Sequence, residues 1–220
     1  KHFEGKIDVP QFYLVKTMSE LIKAAEKLGY PKKDIVFKPP EGKGARGVRV
    51  LTEKSDRYEL LFNGRPFAKY ISMDELKSTV GKKKIPELMV MEYLEGVELK
   101  IDPVLQNGEL LTCSVKNRLN FASGLAMGFE MIDDNEAIDY ARNLLKHLPM
   151  DYCIDISTRG GVLMEINPRV STYIYSEDYC APYLALKLAM GEMSANEVRT
   201  YQTKLPVGKK MFRYYGQIDY

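Results

Sequence analysis

The sequence predicts an α+β fold in which blocks of neighbouring antiparallel strands alternate with helices. Three tight-turn signals, Asn63-Gly64, Asn107-Gly108 and Gly160-Gly161, each separate two strand-like runs. Asn and Gly adopt the left-handed backbone of a short hairpin turn most easily, so these positions indicate hairpins. Helix-start signals lie between the blocks of strands, which is typical of layered α+β proteins.

Five segments carry the signals of helices. Thr17-Met18-Ser19-Glu20 has the form of a capping box, in which the Thr hydroxyl and the Glu carboxylate each satisfy a free backbone N–H. Apolar residues then recur at helical spacing as far as a stop at Gly29. The other predicted helices start near Ser72, Asp133-Asp134, Pro182 and Ser194, with stops at Gly81, Pro149 and Gly191 for the first three.

Strand-like runs fill much of the remaining chain. They are short, rich in apolar and β-branched residues, and bounded by turn residues. The predicted strands cover Ile35–Lys38, Val48–Leu51, Tyr58–Phe62, Phe67–Ile71, Leu88–Glu92, Val97–Leu105, Glu109–Val115, Tyr152–Ser157 and Val162–Ile166.

Composition and charge exclude several classes of protein. With 220 residues, 45% of them hydrophobic, the chain can bury one large core or two small ones. The net charge of +2 gives no excess that would draw the protein onto nucleic acid or an acidic membrane. No apolar run approaches the ~20 residues of a membrane span. Three widely spaced cysteines fit neither a disulfide framework nor a zinc pattern, so a reducing, cytoplasmic setting is expected.

The first segment with chemical character is a lysine followed by a glycine-rich loop. A strand ending at Lys38 is followed by Gly42, Gly44 and Gly47, and a second strand leaves the loop. Glycines allow successive N–H groups to converge on an anion, and an ammonium adds charge for phosphate. The segment is no Walker loop or dinucleotide turn, because a strand follows it. Taken alone, it is explained equally well as a hairpin tip with a surface lysine.

The second segment joins two strands through Glu92-Tyr93-Leu94-Glu95-Gly96. Such a link can present backbone groups to the edge of a flat base, and Glu98 beyond it can accept hydrogen bonds from sugar hydroxyls. By itself, this segment favours the alternative of a charged loop at a sheet edge.

The third segment folds two strands back at Gly160-Gly161. The turn places Asp155 and Glu165 side by side on adjacent strands, and Glu165 and Asn167 point to one face. Two carboxylates and an amide oxygen on one face form a site that suits Mg²⁺. Without a metal, two carboxylates in an apolar sheet would repel each other. The alternative is a polar face exposed to solvent.

The three segments, in this order, resemble the motifs of the ATP-grasp superfamily. Within it, the stretch Glu165-Ile-Asn-Pro-Arg-Val-Ser171 is similar to that of the carbamoyl-phosphate synthase large-subunit branch. The resemblance runs from about Val9 to Gly191. It implies an N-terminal subdomain over 9–92, a C-terminal subdomain over 93–204 and a tail over 205–220. It also implies ATP clamped between the two subdomains, and the domain that usually precedes them is apparently missing.

The resemblance also implies nucleotide contacts. Lys38 would contact the α- and β-phosphates, and the loop from Gly42 through Gly44 to Gly47 would close over the β- and γ-phosphates. The adenine would be read by Glu92, Tyr93 and Leu94 and packed against Met164, and Glu98 would bind the ribose.

The metal and catalytic residues follow from the same resemblance. Asp155, Glu165 and Asn167 would hold one or two Mg²⁺ (or Mn²⁺) ions. Arg169 would face the transferred phosphoryl group or the acyl-phosphate. Arg118 lies on a strand where related ligases contact substrate or phosphate, although a solvated strand edge explains it equally well.

The implied reaction is a ligation that uses Mg²⁺ and ATP. A carboxylate or bicarbonate attacks the γ-phosphate to form an acyl-phosphate, which an amine or ammonia then attacks. Phosphoryl transfer needs positioning and charge neutralisation more than covalent chemistry by the protein. The expected partners are a small carboxylate and an amine, with no nucleic acid, no membrane and a possible homodimer. The alternatives are a regulatory module that binds ATP without turnover, and a kinase for a small molecule.

Overall fold

The computed structural model describes residues 3, 5–41, 46–54, 56–62, 69–119, 121–122, 125–172, 175–212, 214 and 216. The chain divides into two compact units. The smaller unit is Pro10–Leu94, and the larger unit combines Lys1–Val9 with Glu95–Tyr220. The domain boundaries inferred from sequence stay a prediction.

In the part of the chain that the structure describes, the smaller unit has a five-stranded sheet and three helices. Its strands have the order β1-β5-β2-β3-β4, and every neighbouring pair is antiparallel except β3 with β4. In chain order the elements are β1 (Phe12–Val15), α1 (Met18–Lys27), β2 (Ile35–Lys38), β3 (Arg49–Leu51), α2 (Arg57–Phe62), β4 (Tyr70–Ile71), α3 (Met73–Val80) and β5 (Leu88–Glu92).

Helix α1 begins as its sequence predicts. The Thr17 hydroxyl accepts the N–H of Glu20 at 3.2 Å, and the Glu20 carboxylate accepts the N–H groups of Thr17 and Lys16. This reciprocal cap satisfies N–H groups that have no partner within the helix. The helix then buries Leu21 and Ala25 fully in the core of the smaller unit.

One predicted strand of this unit is wrong. Residues Tyr58–Phe62 belong to helix α2, because the Asp56 carboxylate caps its first turn by accepting the N–H groups of Tyr58 at 2.9 Å and Glu59 at 3.2 Å. The predicted turn at Asn63-Gly64 lies outside the described residues. Of the predicted strand Phe67–Ile71, only residues 69–71 are described; strand β4 covers Tyr70–Ile71 and pairs with β3 in parallel.

The larger unit is built on a seven-stranded antiparallel sheet. Six of its strands follow the order β13-β12-β6-β7-β10-β14, and β11 pairs with β6. In chain order the elements are β6 (Glu98–Gln106), β7 (Glu109–Arg118), β8 (Phe121–Ala122), β9 (Leu125–Ala126), β10 (Gly128–Ile132), α4 (Asn135–Leu145), β11 (Tyr152–Cys153), β12 (Asp155–Arg159), β13 (Val162–Asn167), α5 (Ala181–Ala189), α6 (Ala195–Thr200), a 3-10 helix (Tyr201–Lys204) and β14 (Lys210–Phe212).

Two predicted hairpins of this unit are confirmed. Asn107 and Gly108, with φ of 50° and 77°, join β6 to β7, and Gly160 and Gly161, with φ of 55° and 80°, join β12 to β13. The second hairpin has an irregularity, because Ser157 lies opposite Glu165 whereas Thr158 lies opposite Leu163. Met164 is therefore left without a partner in the register, as in a β-bulge.

The sheet of the larger unit has an apolar face and a partly polar one. Ile101, Val115 and Ile156 pack with helix α4 in one buried cluster. On the opposite face, Val104 packs with α5 in a second cluster. The rest of this second face carries charged side chains. No helix within the described residues is both long and apolar enough to cross a membrane.

Candidate functional site

Charged side chains of four adjacent strands meet on one face of the larger sheet, which we call the polar face. Side chains at alternate positions of a strand point to the same face. Ion pairs and hydrogen bonds join such alternate positions on neighbouring strands. The polar face comprises Glu98, Lys100 and Asp102 of β6, Lys116 and Arg118 of β7, Asp155, Ser157 and Arg159 of β12, and Glu165 and Asn167 of β13.

The three predicted metal ligands come together on the polar face. Asp155 lies directly opposite Asn167 in the register, and Glu165 lies opposite Ser157. The Asn167 amide nitrogen is 3.1 Å from Glu165 Oε1 and 3.5 Å from Asp155 Oδ2. Carboxylate and amide oxygens are the ligands that Mg²⁺ prefers, so the chemistry of this donor set fits the ion. Among the described residues, no three His, Cys, Asp or Glu side chains are grouped so that they could hold a metal ion. The predicted set has three ligands only when the Asn167 amide is included.

Two cations of the chain contact these acidic side chains. Lys100 Nζ is 3.1 Å from Asp155 Oδ1 and 3.5 Å from Glu165 Oε1. Arg169, predicted to face the phosphoryl group, places Nη1 3.1 Å from Asp155 Oδ2 and keeps 57% of its side chain exposed. The Asp155 side chain is only 2% exposed, so both ion pairs offset the cost of removing its charge from water.

Glu98, predicted to bind ribose, is held by two arginines. Its Oε1 accepts from Arg118 Nη1, and its Oε2 accepts from Arg159 Nη2 at 2.6 Å. The Glu98 side chain is 6% exposed, so this carboxylate is nearly enclosed by the two guanidinium groups. The orientation of Arg118, predicted to be catalytic, is therefore set by Glu98.

A buried ion pair joins the polar face to the segment after β13. Lys116 Nζ lies 2.7 Å from Asp102 Oδ2 and donates a hydrogen bond to the Thr172 carbonyl at 2.5 Å. Burial raises the pKa of Asp102, whereas the Lys116 ammonium and a hydrogen bond from Ser171 act in the opposite direction. The pair thus anchors residues 171 and 172, which follow Arg169.

The predicted phosphate residues of the smaller unit are partly described. Lys38 is the last residue of β2, opposite Met89 of β5, and its side chain is half-buried. Gly42 and Gly44 lie outside the described residues. Gly47 has a φ of 76°, and a Cβ there would lie 2.8 Å from Pro39 Cδ. This close approach and the left-handed backbone both require glycine at that position.

The predicted adenine residues lie at the end of β5 and on β13. The Glu92 carboxylate accepts the N–H of Gln11 at 2.9 Å. Tyr93 and Leu94 follow the strand and are half-buried. Met164, half-buried as well, occupies the irregular position of β13. The irregularity interrupts the regular pairing of β13 at Met164.

Sequence reasoning missed five members of the polar face, namely Lys100, Asp102, Lys116, Ser157 and Arg159. A signal for two of them was present, because Glu98, Lys100 and Asp102 occupy alternate positions of an otherwise apolar strand. Such alternation indicates several polar side chains on one face of the sheet. Arg159 stands beside the turn glycines, where a solvated arginine is common.

Comparison with known families identifies the family of this chain. The profile of a family described as "ATP-grasp in the biosynthetic pathway with Ter operon" matches residues 84–210, more than half of the chain. The chain belongs to this ATP-grasp family. Residues 84–210 include the whole polar face. The predicted ATP-grasp fold, α+β with mainly antiparallel sheets, is confirmed.

Solved structures share the ATP-grasp fold at low sequence identity. A carboxyaminoimidazole ribonucleotide synthase from Aspergillus clavatus, complexed with ATP, is 14% identical, with a TM-score of 0.63 over 90% of this chain and 51% of the other. An ADP complex of an N5-carboxyaminoimidazole ribonucleotide synthetase is 16% identical, with a TM-score of 0.58 over 96% of this chain and 51% of the other.

A third ATP-grasp neighbour is an L-amino acid ligase from Bacillus licheniformis. It is 17% identical, with a TM-score of 0.56 over 89% of this chain and 48% of the other. The present chain thus spans about half the length of these structures. No curated protein matches the sequence. These similarities extend to the fold, and they do not single out the carbamoyl-phosphate synthase branch.

Proposed function

We propose that this ATP-grasp protein is a Mg²⁺- and ATP-dependent ligase that activates a carboxylate as an acyl-phosphate for attack by an amine or ammonia. The observation that carries the proposal is the convergence of Asp155, Glu165 and Asn167 on the polar face, next to Arg169. Two carboxylates and an amide beside an arginine suit a metal-bound polyphosphate better than a neutral ligand.

In this proposal, Asp155, Glu165 and Asn167 hold Mg²⁺ or Mn²⁺. The bound ion supplies charge neutralisation for the phosphate oxygens. Arg169 is exposed enough to reach a ligand and carries a planar guanidinium that can bind a phosphoryl group through two hydrogen bonds. Arg118, oriented by Glu98, is proposed to contact the substrate or a phosphate.

The remaining roles follow the family resemblance. We propose that Lys38 and the loop containing Gly42, Gly44 and Gly47 bind phosphates of the same nucleotide. Glu92, Tyr93, Leu94 and Met164 are proposed to bind the adenine, and Glu98 the ribose.

Three finer features belong to the same proposal. The first is that bicarbonate takes the place of the carboxylate substrate, as in carbamoyl-phosphate synthase. It is supported by the sequence Glu165-Ile-Asn-Pro-Arg-Val-Ser171 alone. A homodimer and a cytoplasmic location remain predictions from the sequence. Two other functions are separated from ligation by the experiment below. ATP binding without turnover gives no product, and phosphorylation of a hydroxyl gives a phosphate ester.

The test is release of ADP and phosphate by the full-length protein with Mg²⁺, ATP and panels of small carboxylates and amines. We expect turnover that depends on one carboxylate and one amine, with an amide as product. Glu165→Gln should abolish it. Glu136→Gln, which changes an exposed glutamate of α4, is the matched control and should leave turnover unchanged.

The product distinguishes the alternatives. A stable phosphate ester would identify a kinase. Tight Mg·ATP binding with no release of ADP under any combination of substrates would identify a binding module and overturn the ligase proposal.

A further inference from the structure

Lys100 occupies a position to which the proposed function gives no role. It is the third residue of β6, and Ser157 of β12 lies opposite it in the register. Its ammonium donates to Ser157 Oγ and to both oxygens of Asp155, at 3.1 and 3.3 Å. The same nitrogen is 3.5 Å from Glu165 Oε1. The ammonium of Lys100 therefore touches both carboxylates of the proposed metal-ligand set.

Two of the side chains in these contacts, Lys100 and Asp155, are nearly buried. The Lys100 side chain is 11% exposed and that of Asp155 is 2% exposed. A lysine on the surface loses little when it moves away from a carboxylate, whereas a nearly buried ammonium needs acceptors for its three N–H groups. Asp155 and Ser157 provide such acceptors, so the side chain of Lys100 is fixed among the proposed ligands.

The charges of this cluster balance without any added ion. Asp155 and Glu165 carry two negative charges, and Lys100 and Arg169 carry two positive ones. A divalent cation bound by the same two carboxylates would stand close to the Lys100 ammonium, which touches both of them. Like charges at such a distance repel, and the repulsion is least screened beside Asp155, whose side chain is 2% exposed. A polyphosphate beside the site adds negative charge and relieves this repulsion.

We propose that Lys100 is an internal counter-ion of the metal-ligand set. In the absence of nucleotide it holds Asp155 and Glu165 together and opposes the binding of a divalent cation. The metal then binds well only together with the negative charge of a polyphosphate. This inference rests on the proposed function, because it concerns the same acidic residues, and it makes Lys100 a positioning residue whose charge sets the metal affinity of the free protein.

The test is binding of Mn²⁺ alone to the full-length protein without nucleotide, followed by the electron paramagnetic resonance signal of free Mn²⁺. We expect Lys100→Met to bind Mn²⁺ about tenfold tighter or more than the wild-type protein. Lys100→Arg keeps the charge and should bind no tighter than wild type. Lys146→Met, which removes an exposed lysine of the larger unit, is the matched control and should also equal wild type.

A second readout does not depend on the binding titration. Mn²⁺ should raise the melting temperature of Lys100→Met more than that of wild type, because the ion replaces the missing counter-charge of Asp155. If Lys100→Met does not fold, Lys100→Gln keeps a hydrogen-bond donor near Asp155 and Ser157 without the charge. The same gain in Mn²⁺ affinity is expected for that variant.

Mg·ATP binding, measured by calorimetry on the same proteins, separates this inference from the proposed function. Wild-type protein that binds Mg·ATP, with a Mn²⁺ affinity unchanged or weakened by Lys100→Met and Lys100→Gln, overturns the role of Lys100 and leaves the proposed function intact. Wild-type protein that binds no Mg·ATP, with a Mn²⁺ affinity that still rises in Lys100→Met, supports the counter-ion and overturns the proposed function.

Discussion

At the scale of single residues, charged groups of the polar face are satisfied by partners of opposite charge from neighbouring strands and from the segment after β13. Glu98 has Arg118 and Arg159, and Asp155 has Lys100 and Arg169. A buried carboxylate without such a partner is costly, so the pairs explain how acidic side chains can lie in the middle of a sheet. They also fix the positions of groups that a nucleotide would meet.

Lys38 allows the phosphate role to be tested at one residue of the smaller unit. It ends β2 just before the predicted glycine-rich loop. Lys38→Ala should weaken Mg·ATP binding by about 1–3 kcal/mol, since a charge-assisted hydrogen bond to a phosphate is lost. Calorimetry measures the change. Lys23→Ala on helix α1, an exposed lysine of the same unit, should leave the affinity unchanged, and equal effects of both variants would contradict the role of Lys38.

The position of a single residue could be predicted where its contacts involve residues close to it in sequence. Asp155, Glu165 and Asn167 were predicted to share a face because they flank one turn, and the structure brings them together. Lys100 was missed because its contacts require the pairing of β6 with β12, which joins residues that are 55 positions apart in sequence. Sequence alone gave no register for that pairing.

At the scale of elements, local signals predicted helix starts better than strands. The predicted capping box at Thr17 forms, and the helices predicted to start near Ser72 and Ser194 have these serines as N-caps, since each cap involves side chain and backbone within three residues. Tyr58–Phe62 was predicted as a strand from its aromatic and apolar residues. The Asp56 cap shows instead a short helix, and its Tyr58, Leu61 and Phe62 are exposed and not buried in a sheet.

The hairpin that carries the acidic residues offers a matched pair of glycines. Both have positive φ, but a Cβ at Gly160 would lie 2.4 Å from the Glu95 carbonyl oxygen, whereas Gly161 has nothing within 4 Å. Gly161→Ala should lower the free energy of unfolding by about 1–2 kcal/mol, for the left-handed backbone alone. Gly160→Ala should lower it further, because a backbone atom must also move. Urea denaturation measures both, and a smaller loss for Gly160→Ala would show that the turn is not held against Glu95.

The pair Asp102–Lys116 tests how β6, β7 and the segment after β13 are held together. Lys116→Met leaves the Asp102 carboxylate buried without its counter-charge and should cost about 3–5 kcal/mol of stability. The double variant Asp102→Leu/Lys116→Met removes both charges and should recover much of that loss. Urea denaturation of the two single variants and the double variant gives the coupling. Additive losses would mean that the two side chains do not interact energetically.

At the scale of the whole molecule, the chain forms two compact units that are not simply successive in sequence. Residues before Pro10 belong to the larger unit. Ile7 is buried with Ala141 and Leu144 of helix α4, and the Asp8 carbonyl accepts a hydrogen bond from the Tyr140 hydroxyl at 2.8 Å. The sequence did not indicate this return, because the few residues before β1 carry no periodic pattern.

Substitutions in the cluster around α4 and in the core of the smaller unit should therefore destabilise different helices. Ile7→Ala leaves a cavity beside α4, and Leu21→Ala leaves one in the core of the smaller unit, each at a cost of about 2–5 kcal/mol. Hydrogen exchange followed by mass spectrometry locates the effect. Ile7→Ala should speed exchange in α4 and spare α1, although Ile7 lies closer in sequence to α1 than to α4. Leu21→Ala should do the reverse. Equal acceleration in both helices for either variant would show that the two cores unfold as one.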